Sequence, residues 1–362
     1  MSAVQSTVDL FWLTVIAAPL LAALASAALT LALSRNAIAF LRFVDHPNER
    51  SLHRTPVPRT GGVALIFGIA IGVAVSQPTI GTRGPLFWAA LAIALVLVGG
   101  ISLLDDRRHV PQRYRLLAHA GAALLLYLVG LRWDHMGLPG IDAAFPAWLA
   151  LVLTLLYVVW MINLYNFMDG MDGFAGGMAV FGFGAMAVLG LISHALPFAV
   201  TALVIAASAA GFLSRNFPPA SIFMGDVGAS VLGLLAAAMT LWGAALDLFP
   251  LWIGWLLFSP FIVDATWTLL RRIVNREPFW LPHRSHHYQR LVLAGWGHRR
   301  TLLRAYMVMA AAAASAVAAV DMPVQEQWLL LLGWAAIYGF IHVRVGLAER
   351  LADADRPMKP SL

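Results

Sequence analysis

Amide and carboxylate side chains are concentrated in the stretch from Asn163 to Gly173, NLYNFMDGMDG, which closes a long apolar run. Its glycines allow a ligand to approach the backbone closely. Such a loop could hold Mg²⁺, a ribose or the edge of a base. It is a poor match to an EF-hand calcium loop, because the glutamate that ends such a loop is missing. The alternative is a turn that only caps a helix.

Three more carboxylates stand at the ends of apolar runs. Asp105 and Asp106 end one run, and the two arginines that follow them offset their mutual repulsion. They are candidate metal ligands or proton acceptors, unless they are only a charge cluster at a helix end. Asp226 opens a later run after a double proline, where a helix dipole stabilises a carboxylate. It is a candidate ligand or a simple N-cap.

Two polar loops are rich in arginine and histidine. The loop from Asp45 to Gly62 has three prolines, which favour an ordered and non-helical segment. The segment from His283 to Arg290 holds three histidines and two arginines and could clamp phosphate or sugar. Zinc is the weaker alternative, because the chain has no cysteine and carboxylates for hard cations abound elsewhere. Either segment could instead be a solvated basic loop.

The composition indicates which elements carry these residues. The chain has 362 residues, of which 60% are hydrophobic and 12% charged, and its mean hydropathy is +0.79. Soluble domains are about 45–50% apolar and about 25% charged, so the solvent of this chain is lipid. The absence of cysteine excludes disulfides, thiolate metal sites and cysteine nucleophiles. Only one of the 24 cationic residues is lysine, and arginine suits phosphate.

Apolar runs of about 20 residues can span a bilayer as helices. We therefore predict an all-α polytopic membrane protein with about eleven transmembrane helices. The predicted spans are 9–34, 61–77, 85–104, 114–131, 146–165, 174–193, 196–214, 227–246, 249–270, 301–320 and 326–345. We expect one transmembrane catalytic domain over 1–346 and a short, frayed cytoplasmic tail over 347–362.

The distribution of cations predicts the orientation of these spans. With the N-terminus outside, 22 of the 24 Lys and Arg residues fall in cytoplasmic segments, and only Arg83 and Arg132 fall outside. The positive-inside rule then places the C-terminus in the cytoplasm. The same threading places a set of carboxylates on the cytoplasmic side, as one shared site would require: Asp45, Asp105, Asp106, Asp169, Asp172, Asp226 and Asp264.

In the same order along the chain, these motifs resemble the signatures of the polyprenyl-phosphate N-acetylhexosamine-1-phosphate transferases. The similarity covers about residues 40–305, and NFMDGMDGFAGG and IFMGDVGAS are close to diagnostic. The resemblance implies a bacterial inner-membrane enzyme with its site on the cytoplasmic face. Such enzymes transfer a sugar 1-phosphate from a UDP-sugar to undecaprenyl phosphate and release UMP, with Mg²⁺, or alternatively Mn²⁺, as cofactor. A homodimer is the assembly that the resemblance suggests.

The resemblance also implies roles for single residues. Asp226 matches a Mg²⁺ ligand, with Asn166 near the metal. Asp105 matches the carboxylate that receives or deprotonates the lipid phosphate and contributes to the metal site, and Asp106 lies beside it. The other matched residues are expected to bind substrate: Asp169 and Asp172 in the nucleotide pocket, Gly170 and Met171 along the base, Phe223 on uracil, Asn216 at the nucleoside, His283, Arg284, His286 and His287 at diphosphate or sugar, and Arg54 and Arg59 as anion contacts.

Two departures from the family pattern bear on the substrate. The chain has HHYQR from His286 to Arg290, where relatives acting on UDP-N-acetylglucosamine usually show His-x-His-His and peptidoglycan-precursor relatives a His triplet. This resembles the branch that initiates O-antigen and lipopolysaccharide. The resemblance predicts that the sugar of the UDP donor is N-acetylglucosamine or a 6-deoxy relative, such as N-acetylfucosamine or N-acetylquinovosamine. It argues against a muramoyl-pentapeptide substrate. Ser51 replaces a common lysine, so Arg54 or Arg59 would supply that cation.

A cation-coupled transporter is the rival interpretation, since intramembrane carboxylates and broken helices would suit one. It predicts charges near the midplane of the membrane, and carriers often have repeated halves. Here the carboxylates stand at the ends of the apolar runs, and the sequence shows no internal repeat. The sequence therefore favours the transferase.

Overall fold

The computed structural model describes residues 12–35, 43–45, 56–80, 83–108, 110–278 and 283–354. These residues are almost entirely helical, apart from the two-residue strands β1 (Val44–Asp45) and β2 (Val57–Pro58), which pair antiparallel. A π-helical turn at Trp12–Ala17 leads into the first α-helix. The α-helices are α1 (Ala18–Ser34), α2 (Gly61–Ile80), α3 (Pro85–Arg107), α4 (Gln112–Leu128), α5 (Ala147–Met168), α6 (Phe174–Ile192), α7 (Leu196–Asn216), α8 (Gly225–Ala245), α9 (Leu251–Leu257), α10 (Ser259–Val274), α11 (His287–Leu291), α12 (His298–Ala319) and α13 (Val324–Ala354).

Each of the eleven predicted spans overlaps one of these helices, so the all-α polytopic membrane fold is confirmed. Eight helices in the described residues are long and apolar enough to cross a membrane. A ninth span is formed if α9 and α10, which meet at an angle of 83°, are counted together. The predicted spans at 61–77 and 114–131 are not among these eight: they correspond to the shorter apolar part of α2, Gly61–Gln77, and to the 17-residue α4. The number of crossings and their direction therefore stay predictions.

Helix α8 lies at the centre of the molecule and packs against α2, α3 and α5. Nearly all of its side chains are buried. At its N-terminal end, Gly228 contacts Gly62 of α2 so closely that a Cβ on either residue would overlap the other helix. Interior side chains are close-packed and resist displacement, so Asp226 in the first turn of α8 has a fixed position.

Helix α13 lies at the periphery and exposes most of its surface. It continues without a break to Ala354. The expectation of a frayed tail from residue 347 is therefore wrong for residues 347–354, which are helical because the last turns still pack against a neighbour. Glu349 in this segment forms two hydrogen bonds, of 2.6 and 2.5 Å, with the guanidinium of Arg290. The division into a domain and a tail stays a prediction.

Candidate active site

Backbone hydrogen bonds fix the loop before α2 against the loop before α8. The Phe223 N–H donates to the Pro58 carbonyl at 2.7 Å, and the Gly61 N–H donates to the Phe223 carbonyl at 2.9 Å. Gly225 has a φ of +74°, and a Cβ at that position would overlap the carbonyl of Arg59. The two loops can approach this closely only because residue 225 is glycine. As a result, Arg59 stands beside Asp226.

Arg59 joins carboxylates from three elements. Its Nη2 donates to Oδ1 of Asp106, whose side chain is almost fully buried, and lies 3.4 Å from Oδ1 of Asp226. Its Nη1 lies 3.9 Å from Oδ1 of Asp45 on β1. Burial lowers the pKa of Arg59, but the three carboxylates raise that pKa by more. Arg59 is therefore a permanent cation, and the predicted anion contact is part of an acidic cluster.

Arg115, in the first turn of α4, is a second bridge that the sequence analysis missed. Its Nη1 donates to Oδ2 of Asp105 at 2.6 Å, and its Nη2 lies 3.7 Å from Oδ2 of Asp226. The other oxygen of Asp105 accepts a 2.8 Å hydrogen bond from the Val110 N–H. The sequence contained no sign of this role, because Arg115 was one of many cations assigned to the cytoplasmic side.

The predicted ligands Asp105, Asp226 and Asn166 belong to one cluster. The Asn166 amide donates to Oδ2 of Asp226 at 3.5 Å. Asp169, at the C-cap of α5, points into the same region, and its carboxylate has no hydrogen-bond partner among the described residues. Burial raises the pKa of Asp169 well above its ordinary value, and the charges of Asp226 and Asp106 raise it further.

Carboxylates outnumber guanidiniums in this cluster, and a bound divalent cation stays a prediction. Among the described residues, the carboxylates of Asp45, Asp105, Asp106, Asp169 and Asp226 lie around the guanidiniums of Arg59 and Arg115. Carboxylate and amide oxygens are also the ligands that Mg²⁺ prefers. In the described residues, no three Asp, Glu or His side chains are arranged as ligands of one ion. The arginines lie between the carboxylates instead.

The loop between α5 and α6 is attached to the loop between α7 and α8. Oδ2 of Asp172 accepts a 3.0 Å hydrogen bond from the Ala220 N–H, and its Oδ1 lies 3.3 Å from Nδ1 of His298. Burial raises the pKa of Asp172, but the hydrogen bonds from His298 and Ala220 outweigh burial and lower it overall. His298, at the start of α12, was not among the predicted site residues.

Asn216 makes a second connection between the same loops. Its carbonyl oxygen accepts from the Gly173 N–H, and its amide donates to the Ile222 carbonyl, both at 2.9 Å. Because Asn216 is buried and both polar ends are used inside the protein, the structure shows it holding the two loops together. A direct contact with a nucleoside stays a prediction.

The three residues predicted to surround the base lie in different settings. Gly170 is exposed, Phe223 is half-buried, and Met171 is buried in the hydrophobic core. A Cβ on Gly170 would overlap the hydroxyl of Tyr288, and that hydroxyl donates to the Phe167 carbonyl at 3.2 Å. Tyr288 therefore brings the histidine segment against the loop that holds Asp169.

The histidine segment is organised by Asp264 of α10. Oδ1 of Asp264 accepts from the His287 N–H at 2.9 Å and lies 3.0 Å from His287 Nδ1. The buried His286 has its Nδ1 3.6 Å from the same oxygen. The other ring nitrogen of His287 lies 3.0 Å from Nδ1 of His342 on α13. The sequence placed Asp264 on the cytoplasmic side but gave it no role, and His342 was missed because it belongs to a distant helix.

The remaining basic candidates make few contacts with the described residues. His283 lies 2.9 Å from the Ser285 hydroxyl, and burial, followed by the charges of His286 and Arg272, lowers its pKa to about 4. Arg284 is exposed and makes no hydrogen bond or ion pair with the described residues. Arg54 lies outside the described residues. Contacts of all these side chains with diphosphate or sugar stay predictions.

The fold and the site define a polytopic membrane protein with an acidic cluster, bridged by arginines, at the ends of several helices. Residues 88–244 match the model of the family described as "Glycosyl transferase family 4". With the relatives below, this shows that the chain belongs to that family, the polyprenyl-phosphate N-acetylhexosamine-1-phosphate transferases.

Three relatives illustrate the similarity. The chain is 31% identical over 268 residues to the probable undecaprenyl-phosphate N-acetylglucosaminyl 1-phosphate transferase of Bacillus subtilis, covering 73% of this chain and 74% of that protein. It is 31% identical over 333 residues to the decaprenyl-phosphate N-acetylglucosaminephosphotransferase of Mycobacterium leprae, covering 84% and 83%. It is 27% identical over 305 residues to the undecaprenyl-phosphate alpha-N-acetylglucosaminyl 1-phosphate transferase of Yersinia pestis, covering 80% of each.

Proposed function

We propose that this protein transfers an N-acetylhexosamine 1-phosphate from a UDP-sugar to undecaprenyl phosphate, giving undecaprenyl-diphospho-sugar and UMP. The observation that carries the proposal is the cluster in which Arg59 and Arg115 join Asp105, Asp106 and Asp226 at the ends of spanning helices. Two anionic substrates must meet in this reaction. A guanidinium has several N–H donors, so an arginine that already binds a carboxylate can also donate hydrogen bonds to an incoming phosphate.

The chemical step is a displacement at phosphorus. An oxygen of the lipid phosphate forms a bond to the β-phosphorus of the UDP-sugar, and the bond from that phosphorus to the bridging oxygen breaks. The electron pair of that bond leaves with UMP. A phosphate monoester is largely dianionic near pH 7 and needs little activation, so we favour direct attack. A two-step route with Asp105 as nucleophile is the alternative.

Each residue of the cluster has its own proposed role in this step. Asp105, held by Arg115 and the Val110 N–H, orients the lipid phosphate or accepts its residual proton. Asp226 and Asn166, together with Asp105, would hold Mg²⁺, and Mn²⁺ is the alternative ion. A bound divalent cation offsets the repulsion between the phosphates and stabilises the departing phosphate. Arg59 donates a hydrogen bond to Asp106 and holds that carboxyl group beside Asp226.

The donor we propose first is UDP-N-acetylglucosamine, because all three relatives are named for the transfer of that sugar. The sequence HHYQR from His286 supports the 6-deoxy sugars N-acetylfucosamine and N-acetylquinovosamine as alternatives. On this proposal the enzyme performs the first membrane step of O-antigen or another cell-envelope polysaccharide. Since UDP-sugars are cytosolic, the site faces the cytoplasm.

A donor panel tests the function. Purified full-length protein is given undecaprenyl phosphate, Mg²⁺ and one UDP-N-acetyl-sugar at a time, and UMP release is measured. We expect UMP from one donor, loss of activity by about 10²-fold or more in Asp226→Asn, and loss of activity after removal of divalent cations. Folded protein that releases no UMP from any donor contradicts the proposal and leaves the transporter as the alternative. Undiminished activity in the variant would overturn the metal assignment alone.

A further inference from the structure

A large apolar cleft opens between the last two long helices, and no described residue of the acidic cluster lines it. It has a volume of about 1020 Å³ and is lined by α10, α12 and α13. Both α12 and α13 have mostly exposed surfaces, so the cleft lies on the lipid-facing periphery of the molecule. Water is a poor occupant of a site this apolar, and a bilayer would supply a hydrocarbon chain instead.

One end of the cleft is cationic. Arg304 of α12 and Arg344 of α13 both line it, and neither forms an ion pair with a carboxylate of the described residues. Arg304 stacks on Trp296, with its guanidinium carbon 4.2 Å from the ring centroid. Arginine and tryptophan are typical of the membrane–water interface. Among the described residues that line the cleft, Asp264 is the one carboxylate, and it is already bonded to His287.

The length of the cleft limits its occupant. The lining residues run from Thr301 to Ser315 on α12 and from Leu329 to Val345 on α13. At 1.5 Å per residue, this corresponds to about 20–25 Å. One leaflet contributes about 15 Å of hydrocarbon and the whole bilayer about 30 Å. The cleft is therefore longer than one leaflet is thick and shorter than the bilayer, which suits one extended chain of a membrane phospholipid.

We propose that this cleft binds one anionic phospholipid of the bilayer, with its phosphate at Arg304 and Arg344 and a chain along α12 and α13. Basic pockets between transmembrane helices are a recognised setting for anionic headgroups. The site adjoins the catalytic region, because His287 and Tyr288 line its polar end and His287 contacts His342 of α13. A lipid seated there holds α13 against the histidine segment.

Direct lipid binding tests this proposal without any need for activity. Full-length protein is incubated with phosphatidylglycerol or phosphatidylcholine, and retained lipid is measured by native mass spectrometry. Each arginine near a headgroup is worth about 1 kcal/mol, which is about fivefold in affinity. We therefore expect the double variant Arg304→Gln/Arg344→Gln to bind phosphatidylglycerol about 30-fold more weakly and phosphatidylcholine unchanged.

A matched pair of glycine variants tests the position of the chain. A Cβ on Gly333 or on Gly339 of α13 meets no atom within 4 Å, but only Gly333 lines the cleft. Gly333→Leu should fill the cleft and abolish retention of phosphatidylglycerol, and Gly339→Leu should bind it as the wild type does.

Equal retention by all variants would overturn the proposal. Displacement of phosphatidylglycerol by undecaprenyl phosphate would also overturn it, by assigning the cleft to the acceptor. If the wild-type protein retains phosphatidylglycerol but releases no UMP in the donor panel, that result counts only against the proposed function.

Discussion

At the scale of single residues, the carboxylates of the site are separated by arginines rather than placed side by side. Arg59 stands between Asp106 and Asp226, and Arg115 stands between Asp105 and Asp226. Removing one partner of such a pair leaves the other charge poorly compensated in a partly buried place. These arginines therefore fix the orientation of the carboxylates, and substituting an arginine tests this role.

We predict that Arg115→Gln lowers the rate of UMP release by about 10–100-fold, the usual cost of losing a group that orients functional carboxylates. The matched control is Arg113→Gln on the same helix, because Arg113 stacks on Tyr114 and has no carboxylate partner among the described residues. Steady-state kinetics of both purified variants check this. Equal activity of the two variants would remove Arg115 from the site.

The contacts of Asp172 with Ala220 and His298 predict a dependence of stability on pH. The hydrogen bonds from His298 and Ala220 leave the pKa of folded Asp172 below its ordinary value. The unfolded carboxyl has a pKa of about 3.9. The ionised form thus adds stability above that pH, and this contribution is lost as the pH falls through the lower folded pKa.

We therefore expect Asp172→Asn to lower the Tm at pH 7 and pH 5, and the difference from the wild type to shrink below about pH 4. Asp321→Asn is the control, because Asp321 is exposed and forms no ion pair in the described part of the chain. Thermal unfolding across this pH range measures both variants. A difference for Asp172→Asn that grows on acidification would be incompatible with a depressed pKa.

At the scale of elements, the site is assembled where helices end. Asp105 and Asp106 lie in the last turn of α3, Asp169 follows α5, and Asp226 lies in the first turn of α8. Charges at helix ends avoid the hydrocarbon core, where they would be expensive. The peripheral helix α13 joins this region through Glu349 and His342.

The pair formed by Arg290 and Glu349 can be tested by a double-mutant cycle. The two side chains are bonded in the bidentate geometry that strengthens such pairs. Because Glu349 is about one-third exposed, we expect a coupling energy of only about 1 kcal/mol. Thermal or denaturant unfolding of Arg290→Gln, Glu349→Gln and the double variant gives this value, with Glu326→Gln as a surface control on the same helix. A coupling energy of zero would mean that the pair does not hold α13.

At the scale of the whole molecule, the helices and the distribution of cations describe a membrane protein with one functional end. The acidic cluster, the loop after α5 and the histidine segment all lie at that end. The positive-inside rule predicts that this end faces the cytoplasm. The direction of insertion is independent of the reaction and needs its own measurement.

Single cysteines can establish the orientation, because the chain contains none. We predict that Asp142→Cys reacts with a membrane-impermeant maleimide in intact cells. Asn275→Cys should react only after the cells are permeabilised. Both positions are exposed, so accessibility to the reagent is matched. The reverse pattern would place the N-terminus in the cytoplasm and contradict a site that takes cytosolic UDP-sugars.

The sequence by itself determined the fold class, and it named residues that the structure brings into one cluster, whose roles stay predictions. Each of the eleven apolar runs of spanning length overlaps a helix of the structure, because the burial of apolar side chains in lipid depends on composition and length. Asp105, Asp226 and Asn166 could be chosen because polar groups at the ends of such runs are costly without a function. The 83° break between α9 and α10 was not visible, since both halves are apolar.

Only the tertiary structure decided which side chains meet. Arg115 contacts Asp226 from a separate helix, and His342 reaches His287 across 55 residues of chain. Asn216 joins two loops instead of facing outward. No local pattern encodes such contacts, because they depend on how helices far apart in sequence pack around α8. A side chain that is one cation among many in the sequence acquires its role only from the carboxylate that packing places beside it.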